Sequence, residues 1–496
     1  MVIDSRGRVA NISVADSMRR SFTVSSFVLG LPTTTSLAEL VVFPNIVLKQ
    51  RLEIYMSLPV AIRLLGRLIL VLLAVVGLAG LFLALVVVTD GARSGLAAWL
   101  TAFAVGIVAA LWRGRGRTWP GRLWPFVPVV AAAALTASIC VPTVPTTRQY
   151  PPDLPFVAMG HWSLSTGSRV AVYHYPPVGA PRRPTPLVYL HGGPVRSISV
   201  LDHRFLRLLA GQGYDVYAYE HPGGGRSDLL PMEQYTISRS VRDLAAFIDR
   251  LDKGPADILG FSAGAIVLTR ALATPDTAAR VHRAIIAEPG PMDGPTALTS
   301  GQQGRPSARG LAPAPTGGRA THVPRYAVAL GLIQLGLLPP DTGLITQAEG
   351  VNAFKAADLG SDTASAYCAR DAGRIPTEDT AENFSFNAAA SLRIQQTIKD
   401  SPSIVPGLSR SRTPAMLMIA ECSSQTRQWQ TSILAAGSAI ERTQYMPGVG
   451  HRLWNGLDDN NERAAAVITA FLQGEPSPLP NYPTRTGISA FLRDHR

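Results

Sequence analysis

The chain has 496 residues, more than one compact domain needs, and 46 basic against 34 acidic side chains give it a formal net charge of +12. Three cysteines are too few for a disulfide-stapled scaffold, and the 47% hydrophobic content is concentrated at the front of the chain. Residues 1–55 mix polar and apolar side chains and break at Pro32-Thr33-Thr34-Thr35. They lack a charged start running directly into a short apolar core, which argues against a cleavable leader. Met56 stands shortly before the first long apolar run and is an alternative start to Met1.

Residues 56–141 read as a membrane region. Residues 68–88 are uncharged and almost wholly apolar, and a bilayer crossing takes about 20 such residues. Two further uncharged stretches follow at 95–112 and 123–141, the last interrupted near its start by Pro125 and Pro128. Arg113, Arg115, Arg117 and Arg122 lie between the second and third stretches, and Lys49, Arg51, Arg63 and Arg67 precede the first. Between the first and second there is only Arg93, beside Asp90. Positive charge is retained in the cytoplasm, so the N-terminus is expected inside and everything after three crossings outside, in a multi-pass protein of the cell membrane. The arginines are then a topology signal and not a nucleic-acid footprint. No ionisable residue lies within the spans, which leaves a transporter role without support.

Residues 142–155 hold Pro142, Pro145, Pro151, Pro152 and Pro155 and read as a stiff, extended spacer. A second domain is expected over residues 156–475, with a tail at 476–496. It opens on a hairpin around Thr166-Gly167-Ser168. A buried strand at 186–190 runs into His191-Gly192-Gly193-Pro194. Another, at 214–219, ends in the glycine-rich loop His221-Pro222-Gly223-Gly224-Gly225-Arg226-Ser227-Asp228. The apolar run 256–259 leads into Gly260-Phe261-Ser262-Ala263-Gly264 and then an apolar helix. A strand at 284–288 ends on Glu288. A cap is expected over about 290–406, its first part, residues 301–319, rich in Gly, Pro, Ala and Ser, with an apolar helix at 326–338. The strand at 414–420 continues into Glu421-Cys422-Ser423-Ser424. The strand at 443–446 leads through a Pro-Gly turn to Gly450-His451.

A strand, a sharp turn with serine at its tip, and a helix lift the serine oxygen out of a sheet towards a substrate, so Ser262 is the candidate nucleophile. The N–H groups of Gly193 and Ala263 are the candidate oxyanion donors; Pro194 has no N–H to give. His451 is the candidate base. His191 reads as structural, and His221 and Arg226 as braces of their loop. Zinc-enzyme histidine spacings and the phosphate-binding G-x-x-x-x-G-K-[ST] pattern are absent, so no metal and no cofactor is expected.

Taken together, the HGGP, HPGGGRSD, GFSAG and late GH segments resemble the α/β-hydrolase superfamily over about residues 155–475, and within it the prolyl iminopeptidase branch. Val195, Glu220-His221-Pro222 and the GFSAG elbow depart from that branch's HGGPG, D-x-R and GGSWG. The resemblance implies a mostly parallel eight-stranded sheet with helices on both faces, a cap after strand six, and a triad acid just after strand seven, where this chain has Ser423. Glu421, two residues earlier, is the first candidate for the acid and Glu288 the second. Without either, the chain is a weakly active or non-catalytic binding protein. With one, it is a serine hydrolase of an ester, a lipid-derived ester or a peptide. On an external domain Cys368 and Cys422 either form a bridge tying cap to catalytic rim or remain separate buried thiols.

Overall fold

The computed structural model describes residues 144–150, 153–155, 157–290, 324–338, 342–356, 366–371, 373–376, 385–422, 437 and 439–482, together with isolated positions ahead of residue 81. The expected spans at 95–112 and 123–141, most of 68–88, the tail beyond 482 and Ser423 lie outside the described residues. Among the described residues no helix is long and apolar enough to cross a membrane.

The organising element is a nine-stranded sheet. In chain order its strands are β1 (Ala158–Ser163), β2 (Arg169–Tyr175), β3 (Leu187–Leu190), β4 (Val216–Tyr219), β5 (Ala256–Phe261), β6 (Val281–Ala287), β7 (Ala415–Cys422), β8 (Ile440–Gly450) and β9 (Asn481–Tyr482). They lie side by side as β9-β8-β7-β6-β5-β3-β4-β2-β1. The six strands from β8 to β4 run parallel, and antiparallel pairs close both edges. Eight of the nine match the sequence expectation; β9 adds a two-residue edge pair on β8.

Central strands covered on both faces need apolar residues on both, and the chain supplies them. Along β7, Ala415, Leu417 and Ile419 enter one core while Met416, Met418 and Ala420 enter the other. Helices α1 (Val200–Gly211), α2 (Ile237–Leu251) and α3 (Ala263–Ala273) follow β3, β4 and β5. The α2 face of Ile237, Val241, Leu244, Ile248 and Leu251 keeps helical spacing and is buried, and Thr236 caps the helix by accepting from Arg239 N–H. Between β6 and β7 the longer described helices are α4 (Pro324–Gln334), α5 (Gln347–Ala356) and α6 (Ala388–Lys399). Ile394 and Ile398 of α6 join the core beside α2, so this helix belongs to the body as much as to the cap. Helix α7 (Asn460–Gln473) covers the opposite face.

The described stretch at 144–150 ahead of β1 is hydrogen-bonded to the domain. Asn352 of α5 donates to the Pro145 carbonyl at 2.8 Å and to that of Thr147, and accepts from Gln149 N–H at 2.9 Å. The Arg148 guanidinium donates to the carbonyls of Ser227, Gly223 and Gly225, at 2.6, 3.0 and 2.6 Å. The polar groups of residues 145–149 are thus anchored on the domain.

Candidate active site

Strand β5 ends on Phe261, and Ser262 turns the chain into α3 with φ +52° and ψ −111°. A non-glycine residue at positive φ is strained, and the surroundings over-determine it. Ser262 N–H donates to Ala287 O at 2.9 Å, pinning the turn to the end of β6. A Cβ on Gly264 would lie 2.1 Å from Leu190 O, so only glycine lets α3 start this close to β3.

Three side chains meet at the carboxyl ends of β5, β6 and β8. Ser262 Oγ lies 3.0 Å from His451 Nε2, and His451 Nδ1 lies 3.0 Å from Glu288 Oε2. A carboxylate partner requires the proton on Nδ1, which leaves Nε2 to accept from the serine hydroxyl. Glu288 is fully buried, sits at φ +47°, and its other oxygen accepts from Ala420 N–H of β7 at 2.6 Å. Its own N–H donates to Met418 O at 3.0 Å. The neighbouring strand thus fixes both the backbone and the carboxylate of this residue.

Glu421, first of the two carboxylates in the sequence reading, takes a different place. It is exposed, and its Oε2 accepts from Gly448 N–H at 2.7 Å. Side-chain alternation put Glu421 on the same face as Ser423, but the irregular pairing of β8 between Met446 and Gly450 sets the Gly448 N–H against it instead. The position facing the His451 ring belongs to Glu288.

The loop carrying His451 is held from both sides. Arg452 N–H donates to Ala366 O at 3.0 Å. The Arg452 guanidinium reaches Ser199 Oγ at 3.0 Å and Asp202 Oδ1 at 3.5 Å, and Trp454 Nε1 donates to Asp202 Oδ1 at 2.7 Å. Burial works to raise the Asp202 pKa, but Arg452 and Arg196 outweigh it and bring it down to about 2. Cys368 and Cys422 form a disulfide with Cα atoms 5.3 Å apart, which fastens the chain just beyond Ala366 to the end of β7. Of the two cysteine readings left open by the sequence, the bridge is the one observed.

A cavity of about 270 Å³ opens on Ser262. Gly193, Pro194 and Ala263 form its floor with the serine, and Ile237, Ile266, Val267, Ile394 and Ile398 supply apolar wall. Gly193 has φ +70°, and a Cβ there would lie 2.5 Å from Arg196 Cδ. Ala263 is the first residue of α3, where backbone N–H groups have no partner within the helix. Both expected oxyanion donors therefore border Ser262.

His191 is structural, as expected: it is fully buried, its Nδ1 donates to Gly192 O at 2.9 Å, and its Nε2 accepts from His221 N–H at 3.2 Å. Arg226 braces its loop through Glu220 and Asp153. The His221 side chain does not. It lines the cavity, neither ring nitrogen has a hydrogen-bond partner among the described residues, and burial lowers its pKa to about 4, which keeps it neutral. The α2 and α6 wall residues were also missed by the sequence reading, because no local pattern reports which distant helix will roof a site. Among the described residues no cluster of His, Cys, Asp and Glu could hold a metal ion.

No curated protein matches the chain in sequence. Similar solved structures include an E-2-(acetamidomethylene)succinate hydrolase, with 18% identity, TM-score 0.40 and coverage of 64% of this chain and 99% of that one. An esterase from Exiguobacterium antarcticum shows 13% identity, TM-score 0.39, and coverage of 64% and 100%. A monoacylglycerol lipase from Paleococcus ferrophilus shows 15% identity, TM-score 0.40, and coverage of 62% and 98%. The family model described as alpha/beta hydrolase family matches residues 187–467, from the strand before the HGGP loop to the helix after His451 and thus more than half of the chain. With that match added to a serine on a strained strand–helix turn, the chain belongs to the alpha/beta hydrolase family.

Proposed function

We propose that the chain is a membrane-anchored serine hydrolase that cleaves small or lipid-derived esters through an acyl-enzyme on Ser262. The observation that carries this reading is the continuous relay from Ser262 Oγ through His451 to buried Glu288. Ser262 Oγ attacks the ester carbonyl while His451 Nε2 takes the hydroxyl proton. Glu288 holds the ring and stabilises the imidazolium. The Gly193 and Ala263 N–H groups receive the developing oxyanion, helped by the positive end of α3. Collapse expels the alkoxide, which takes the proton from His451. Water then attacks the acyl group with His451 again as base, releasing the acid and restoring the serine.

The cavity favours an ester over a peptide with a free N-terminus, the substrate of the iminopeptidase branch. A free ammonium needs a carboxylate to receive it, and the described cavity lining offers none beyond the triad; its one charged residue is the cation Lys399. The three apolar stretches and their flanking arginines support the anchor. So do Leu65, Leu72, Leu73 and Val76, which are helical with more than half of their surface exposed. The Cys368–Cys422 bridge fits an oxidising compartment outside the cytoplasm.

A fluorophosphonate probe tests the reading. The wild-type chain is expected to label and Ser262→Ala to stay blank. A wild-type chain that takes no label would instead support the binding-protein reading.

A further inference from the structure

The domain covers the described residues of helix α4, and the turn after it carries two exposed leucines. Residues 326–340 contain no charged side chain. Tyr326 and Ala329 are buried, Val328, Leu330, Leu332 and Ile333 are partly covered, and Leu335 and Leu337 are 73% and 51% exposed. Apart from Arg325, which pairs with Glu349, and Gln334 the helix is apolar, and two large leucines exposed together on the turn that ends it offer an interaction surface.

The chain itself indicates the occupant. Val144 packs into the small cluster that Tyr326 and Leu330 of α4 form with Ala353 and Ala388. Val144 stands three residues after position 141, the end of the third apolar stretch. Three residues reach about 10 Å at most. The connection beyond is not slack, because Asn352 and Arg148 fasten residues 145–149 to α5 and to the glycine loop. A span ending at residue 141 therefore delivers the domain to the bilayer with α4 close to the surface.

Resting on the anchored reading above, we propose that Leu335 and Leu337, on the turn that ends α4, dip into the outer lipid surface and set the catalytic domain cap-first against the membrane. The partner is the bilayer interface itself, met by an apolar helix with its end in the acyl-chain boundary.

The test uses the full chain with Cys140→Ala, reconstituted in phosphatidylcholine–phosphatidylglycerol vesicles. One sample carries Leu335→Cys and another Val178→Cys, each labelled with an environment-sensitive fluorophore. Val178 is an equally exposed apolar residue (70%) on the loop before β3, at the opposite end of the parallel strands from Ser262. Fluorophosphonate labelling of Ser262 shows that both variants are folded. The Leu335 label is expected to shift to the blue and lose emission when the lipids carry brominated acyl chains, and the Val178 label to do neither. Equal responses at the two positions, or none at Leu335 in vesicles that hold the chain through a carbonate wash, overturn the proposal and leave the anchor standing. A chain stripped off by carbonate overturns the anchored reading, and this inference falls with it.

Discussion

Glu288 and Glu421 close two adjacent parallel strands, β6 and β7, at the same end of the sheet. One is fully buried, takes a backbone N–H from its neighbour strand and meets His451; the other is exposed and serves the backbone of Gly448. Two carboxylates of the same chemistry are separated by burial and by one positive φ, at Glu288, which turns that side chain along the sheet edge. A carboxylate becomes a candidate for catalysis here through what holds it, more than through its position after a particular strand.

Substitutions put this contrast at risk in graded steps. Ser262→Ala sets the floor, with esterase turnover expected to fall by about six orders of magnitude. Glu288→Gln keeps the acceptor for Ala420 N–H but no longer favours the productive imidazole tautomer, and a fall of about four orders of magnitude in kcat is expected. A loss at Glu288 no greater than at Glu421 would reverse the assignment of the two strand ends. At the β7 end, Cys422→Ser opens a loop with a sequence separation of 54. Chain entropy puts its cost at about 4 kcal/mol, read as a lower midpoint in urea. Glu421→Gln retains an acceptor for Gly448 N–H at an exposed site, so kcat is expected to stay within about threefold of wild type.

The pH dependence of folding reports on two buried histidines. Burial lowers His203 and His221 to about 4. A histidine with a depressed folded pKa binds fewer protons folded than unfolded, so stability rises with pH through this range and is lost as pH falls from about 6.5 towards 4. Each group contributes roughly 3 kcal/mol over that window, measurable as a drop in the urea midpoint between pH 7.5 and pH 5. Asp202, held near 2, adds its own loss only below about pH 4, as the carboxylate protonates beneath its unfolded value.

Much of this site was legible because it is local. Gly260 to Gly264 announces a strand, a turn and a helix within a few residues, and the HGGP loop follows its strand directly; both lie where expected. The late histidine was legible by chain order, and 3.0 Å separates it from Ser262. The choice of acid was not, since it depends on the Glu288 carboxylate receiving Ala420 N–H and on how the irregular pairing of β8 at Pro447-Gly448, legible only as a turn, aims the Gly448 N–H. The cavity wall from α2 and α6 and the neutral His221 were equally hidden, for they arise where segments more than 150 residues apart converge. The sequence left Cys368 and Cys422 open between a bridge and separate thiols, because only the folded chain brings positions 54 residues apart to a Cα separation of 5.3 Å.

Gly264 leaves no room for a side chain beside Leu190 O. Leu190 immediately precedes the loop of Gly193, and Gly264 immediately follows Ala263, so this close approach gauges the gap between the two amides that would share the negative charge. A methyl group at 264 would wedge that gap apart without touching serine, histidine or glutamate. The resulting enzyme would keep an intact proton relay and lose the grip that makes the relay useful.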